Sequence, residues 1–226
     1  MNVAYNMDCM EYMKTLPDNA FDLAVVDPPY GIGMDGGKLG SDNKGRCTNY
    51  TKKDWDNSAP TGEYFYQLMR TAKNQIIFGA NHFISKIPFD SSCWIVWDKD
   101  NTGKFADCEL AWTSFPSAVR LYRYRWNGML QENMANKEKR IHPTQKPVGL
   151  YRWIYKNYAK QGDKILDTHL GSGSSRIAAW DAGLDFVGTE IDEQYFKMEE
   201  ERFAKHIAQG RLFDNPLPSA EQTSLF

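Results

Sequence analysis

Asp27-Pro28-Pro29-Tyr30 sets a carboxylate, two prolines and a phenol side by side, directly after the apolar run Leu23-Ala24-Val25-Val26. The run reads as a buried strand. Neither proline has an N–H for a sheet ladder, and Gly31 permits a sharp turn. A carboxylate, a backbone carbonyl and an aromatic ring therefore stand in a stiff loop past the carboxyl end of a strand. Open α/β sheets bind ligands at that edge. Asp27 and the Pro28 carbonyl are two acceptors that match the two N–H groups of one exocyclic amine. Tyr30 offers a ring to stack on the base that carries it. The same residues also suit a plain strand followed by a Pro-rich turn.

A second chemical stretch comes late: Lys164-Ile165-Leu166-Asp167-Thr168-His169-Leu170-Gly171-Ser172-Gly173-Ser174-Ser175. It reads as strand, Gly-rich turn and helix. Gly171 and Gly173 let a ligand approach the backbone closely. The next strand, Phe186-Val187-Gly188-Thr189, ends in Glu190-Ile191-Asp192, and Glu190 is placed to bond ribose hydroxyls. The dinucleotide pattern fails because Arg176 holds the third glycine position. With Asp167 at the strand end, the set favours a nucleoside without a pyrophosphate. S-adenosylmethionine fits: an adenosine, an amino acid group and a sulfonium that carboxylates tolerate. A turn with a helix cap at Ser172 or Ser174 is the structural alternative.

The elements that must position these stretches alternate in type. Val3 to Asn6 reads as a strand and Cys9 to Leu16 as a helix with Asp8 as N-cap. The strand ending at Asp27 follows, so strand-helix-strand implies a parallel pair with Asp8 near Asp27. Tyr64 to Ala72 is amphipathic, with Phe65, Leu68 and Met69 inward. Asn74 to Gly79, Cys93 to Trp97 and Glu109 to Thr113 read as strands, and Asn81 to Ile87 as a short helix. Arg120 to Trp126 alternates, with Tyr122, Tyr124 and Trp126 on one face and Arg123 and Arg125 on the other. Pro147 opens a helix over Val148 to Ala159, and another runs from Glu193 to Ala208.

Two segments carry concentrated charge or glycine. Gly31 to Asp56 holds six glycines along with Lys38, Lys44, Arg46, Lys52 and Lys53. It suits a loop closing over the site, or an insertion without structure. Between Val119 and Lys146 stand seven basic residues (Arg120, Arg123, Arg125, Lys137, Lys139, Arg140, Lys146) against Glu132 and Glu138. That local patch suits phosphate contact or a solvated strand face.

Composition narrows the class. At 226 residues the chain suits one domain, and a net charge of -2 gives no global basic field. No apolar run reaches membrane-spanning length, and Met1 to Asn6 lacks the pattern of a signal peptide. Cys9, Cys47, Cys93 and Cys108 form no C-x-x-C pair, which argues against a zinc site and a disulfide framework and fits a reducing cytoplasm.

Together the residues resemble the DNA N6-adenine methyltransferases of the permuted, β-type motif order. Asp27-Pro28-Pro29-Tyr30 comes early; His142-Pro143-Thr144-Gln145-Lys146-Pro147 and the Asp167/Gly171/Gly173 turn come late. The likeness spans roughly residues 3 to 205, loosely in the middle. Asp rather than Ser before Pro-Pro-Tyr favours the adenine type over the N4-cytosine type. His169 departs from the Phe of many members. The resemblance implies a Rossmann-like, mostly parallel seven-stranded sheet with helices on both faces. It implies S-adenosylmethionine as cofactor, held by Asp8, Lys146, Asp167, His169, Gly171, Gly173, Ser174, Glu190 and Asp192. Asp8 would bond the cofactor's adenine and Lys146 would lie near its amino acid end. Asp27, Pro28, Pro29 and Tyr30 would be catalytic, with no metal.

Double-stranded DNA would meet Lys44, Arg46, Arg123, Arg125, Lys139 and Arg140, in recognition segments 31–56 and 117–140. The small recognition region hints at a homodimer. Residues 1–213 make the catalytic domain and 214–226 a flexible tail. The tail's end, Gln222 with Ser224-Leu225-Phe226, resembles the short bacterial sliding-clamp-binding motif. An N4-cytosine or RNA enzyme and a non-catalytic nucleic-acid binder are the competing readings.

Overall fold

The computed structural model describes residues 1–38, 49–101, 106–127 and 130–210. The chain opens with β1 (Asn2–Asn6), α1 (Cys9–Lys14) and β2 (Phe21–Val26). A small hairpin, β3 (Gly37–Lys38) with β4 (Asn49–Tyr50), precedes α2 (Gly62–Thr71) and β5 (Ala72–Phe78). Then come β6 (Trp94–Asp98), β7 (Cys108–Thr113), β8 (Arg120–Arg123) and a second hairpin, β9 (Trp126–Asn127) with β10 (Leu130–Gln131). The closing elements are α3 (Val148–Tyr158), β11 (Lys164–Asp167), α4 (Ser174–Asp181), β12 (Asp185–Glu190) and α5 (Glu193–Gly210).

One eight-stranded sheet runs in the order β1-β12-β11-β2-β5-β7-β6-β8. Only β7 is reversed; it pairs antiparallel with both β5 and β6. The implied seven strands thus become eight. The extra one is β8, which pairs parallel with β6 at the sheet edge, Leu121 opposite Val96. β1 and β2 are parallel but not adjacent, because β12 and β11 stand between them. The expected direct pairing fails because the late motif supplies the two strands that fill the gap.

Alternation along β2 explains the layers. Leu23 and Val25 enter a core with Leu150 and Ile154 of α3, Ile177 of α4 and Phe203 of α5. Ala24 and Val26 enter the opposite core, with Met13 of α1 and Phe65 and Leu68 of α2. Helices therefore cover both faces, as expected of a Rossmann-like fold. Asp8 caps α1 as expected, its Oδ1 accepting from Met10 N at 2.6 Å and Glu11 N at 3.3 Å.

Two local expectations shift. Asn81 to Ile87 forms two separate 3₁₀ turns, Ala80–His82 and Ile84–Lys86. Arg120 to Trp126 is not one strand: β8 stops at Arg123, and Trp126 turns into β9 with its indole donating to Gln145 O at 2.8 Å. Lys44, Arg46, Cys47 and the tail with Gln222, Leu225 and Phe226 lie outside the described residues. Cys9, Cys93 and Cys108 are free thiols. No described helix is long and apolar enough to cross a membrane.

Candidate active site

β2 stands between β11 and β5 among the parallel strands, so its carboxyl end opens between theirs. There Asp27 is gripped from two sides. The Tyr30 hydroxyl donates to Asp27 Oδ1 at 2.7 Å, and Lys146 Nζ stands 2.5 Å from Oδ2. Lys146 also donates to the Tyr30 hydroxyl at 3.1 Å. Burial, the largest influence on Asp27, pushes its carboxyl up, and Lys146 opposes it. The Tyr30 ring stacks on His82, centroids 5.0 Å apart at 16°.

Asp56, 2% exposed, fixes the chain after Tyr30. Its two oxygens accept from Gly31 N at 2.8 Å and Met34 N at 2.7 Å, and its carbonyl accepts from Gly33 N at 3.1 Å. One residue earlier in the chain, the Trp55 ring stacks on His142 at 5.2 Å.

The Gly-rich turn joins β11 to α4. Asp167 is buried, accepting from His169 N at 3.0 Å and from Ser175 Oγ. Burial pushes its carboxyl up to about 7 despite both donors. Glu190 ends β12 and ties the turn from outside: its oxygens accept from Gly171 N at 2.8 Å and Asp192 N at 2.9 Å. Each oxygen keeps a second lone pair for a ligand hydroxyl. Burial works to raise the Asp192 carboxyl, but Lys53, 2.8 Å away, and the Tyr195 and Gln194 N–H groups together hold it low. His169 is held neutral, its imidazole lowered to about 4 by burial, and Thr168 Oγ1 lies 2.9 Å from its Nδ1.

These two strand tips share one cavity of about 1070 Å³, large enough for a nucleoside ligand and a base together. Asp27 and Tyr30 line one part; Asp8, Gly171, Glu190 and Asp192 line another. The donor set suits a nucleoside bearing a cation: carboxylates for hydroxyls and positive charge, aromatic faces at Tyr195 and His142 for a ring.

A family model described as DNA methylase matches residues 96–201. The matched stretch is just under half of the chain, from β6 into α5. Among its relatives, the candidate methylase YubD of Escherichia coli (strain K12) is 28% identical over 221 residues, 92% of this chain and 94% of YubD. The type II methyltransferase M2.MboI of Moraxella bovis is 24% identical over 239 residues, 88% of this chain and 86% of the relative. Among solved structures, that of the M1.HpyAVI–SAM complex has the same fold, with a TM-score of 0.59 at 21% identity, covering 89% of this chain and 98% of that one.

The expected cofactor residues divide. Asp8, His169, Gly171, Ser174, Glu190 and Asp192 line the cavity. Gly173 does not: it caps α4 at φ 71°, and a Cβ there would come 2.7 Å from Glu199 Oε2, behind the turn. Asp167 lies one layer behind the lining. Lys146, expected near the amino acid end of the cofactor, also lines the cavity, its ammonium between Asp27 and Glu109. Arg176, at the missing third glycine, turns to α5, 2.9 Å from Glu199.

The expected basic patch is partly neutralised by acids. Arg123 donates to Asp98 at 2.8 Å and Arg125 to Asp100 at 2.7 Å. Lys139 is exposed, whereas Arg140 lies over the Trp126 ring at 4.4 Å and lines the cavity. Asp56, Trp55, His82, Lys99 and Glu109 belong to the site and were not legible in advance. The only hint for Glu109 was an acid opening an otherwise apolar strand.

Proposed function

We propose that this chain is a DNA methylase that transfers a methyl group from S-adenosylmethionine to the N6 amine of an adenine flipped out of double-stranded DNA. The observation that carries this reading is the shared cavity, with Asp27 and Tyr30 at one strand tip and Gly171 and Glu190 at another. A target amine inside a duplex is out of reach, so the base must leave the stack.

Asp8, Glu190 and Asp192 would hold the cofactor, with Gly171 leaving room against the backbone. When bound, S-adenosylmethionine supplies an electrophilic methyl group on a sulfonium. Asp27 and the Pro28 carbonyl accept the two amine hydrogens and turn the nitrogen lone pair out of the ring plane. His82 stacks on one face of Tyr30, and the adenine would stack on the other. Alignment of this kind is worth up to roughly 7–11 kcal/mol. Asp27 then takes the proton that the methylated amine sheds, so no metal is required. Lys139 and Arg140 are the basic residues best placed for phosphate and groove contact.

The test is to incubate the chain with methyl-labelled cofactor and duplexes of varied sequence, then identify the labelled base. N6-methyladenine supports the reading. N4-methylcytosine would move the activity to the other branch of the family. Label in RNA alone, or in no nucleic acid, would overturn it.

A further inference from the structure

Glu109 is the second residue of β7, opposite Trp97 of β6, and two lysines hold it at the catalytic cavity. Lys99 ion-pairs with its Oε1. Lys146 stands 3.2 Å from Oε2, within ion-pair reach but without hydrogen-bond alignment. Lys146 also meets Asp27, so charge alternates along a chain: Lys99, Glu109, Lys146, Asp27. Lys146 is 5% exposed and lies over the Phe78 ring at 4.7 Å. An ammonium in such surroundings stays charged only when paired. Two carboxylates share that duty, and each one's hold on Lys146 weakens the other's.

We propose that Glu109 is a positioning residue for methyl transfer: by sharing Lys146 with Asp27, it keeps the Asp27 carboxylate available to the substrate amine. The proposal rests on the methyl-transfer reading above. With Glu109 neutral, Lys146 would give its whole charge to Asp27, binding the carboxylate more tightly and making it a poorer acceptor. The two neighbours act on Asp27 in opposite directions, Glu109 raising its carboxyl and Lys146 lowering it. Tyr30 faces Asp27 from its own loop. Tyr64 of α2, Tyr151 of α3 and Asp167 of β11 also lie within its field. His82 reaches it only through Tyr30, and Lys99 only through Glu109. Replacing Glu109 removes the ion-pair partner of Lys99, and replacing Lys146 removes its bond to the Tyr30 hydroxyl; Tyr64, Tyr151 and Asp167 keep their places in both.

The experiment measures kcat/KM for DNA across pH in the wild type, Glu109→Gln, Glu109→Asp and Lys146→Met, with cofactor affinity by calorimetry. Glu109→Gln should lower kcat about tenfold and raise the activity at about pH 5.5 relative to about pH 8. Lys146→Met should lower that ratio. Glu109→Asp should recover most of the loss, and cofactor affinity should hold in both Glu109 variants. Shifts in the same direction, an unmoved profile in Glu109→Gln, or parallel loss of cofactor affinity would overturn the proposal. If Lys146→Met fails to fold, the Glu109→Gln profile decides alone. A wild type that methylates no DNA defeats the underlying reading, whereas a Glu109→Gln enzyme equal to the wild type defeats only this inference.

Discussion

Gly79 presses against the face of the Tyr30 ring: a Cβ built at Gly79 would lie 2.1 Å from Tyr30 Cε1 and 2.3 Å from Cζ. Gly79 also sits at φ +66°, in the left-handed region, at the end of β5. Its N–H donates to Leu110 O at 2.9 Å, which anchors it to β7. The motif at the tip of β2 is thus seated on a glycine from the neighbouring strand. Gly79→Ala should cost about 1–2 kcal/mol of backbone strain. Displacing Tyr30 should lower kcat about 100-fold, as misplacement by an ångström does. Denaturant unfolding and steady-state kinetics separate the two. A loss of stability with unchanged kcat would show that Tyr30 does not need its seat.

Asp56 anchors the segment after Tyr30 through two charge-assisted bonds to backbone N–H groups. Asp56→Ala should cost about 3–6 kcal/mol in local order, at about 1.5–3 per bond. Asp56→Asn, which keeps one acceptor, should lose about half. Hydrogen exchange at Gly31 and Met34 reads this directly. Equal protection in wild type and Asp56→Ala would refute the anchoring role.

Buried His169 gives the fold a pH dependence whose sign follows from its neutrality. Its imidazole titrates at about 4 when folded against 6.5 in the unfolded chain. The unfolded state binds more protons between those values, so His169 costs stability as pH falls from about 6.5 towards 4. His169→Phe removes that group. The variant should be near the wild type in stability at neutral pH, less about 1 kcal/mol for the lost Thr168 contact. Relative to the wild type it should gain steadily as pH falls through the window. Melting temperatures of both proteins at several pH values test this, and a constant difference would contradict it.

What the sequence made legible follows the range of the interactions involved. β2 and β11 end where an apolar run meets an acid and a Pro- or Gly-rich turn, a local signal. The cap at Asp8 is likewise set within three residues. Asp56 and Glu109 answer to partners far along the chain, and nothing beside them in sequence marks those partners. Lys146 was legible as part of a motif but not as Asp27's partner, because that pairing depends on where the segment before α3 crosses the tip of β2. The run from Arg120 to Trp126 kept its apolar face: Tyr122, Tyr124 and Trp126 all pack on the core with α3. Its continuity as a strand failed because Trp126 is pulled away to Gln145.

The central claim is that Asp27 acts on the target amine and not on the cofactor. Lys146 keeps Glu109 as a partner when Asp27 is removed, so Asp27→Ala should fold. Methylation rate and cofactor affinity should be measured on the same preparation. The account predicts that Asp27→Ala loses about 10²–10⁴-fold or more in kcat while binding S-adenosylmethionine as the wild type does. Methylation at near wild-type rate, or loss of cofactor binding in step with activity, would contradict it.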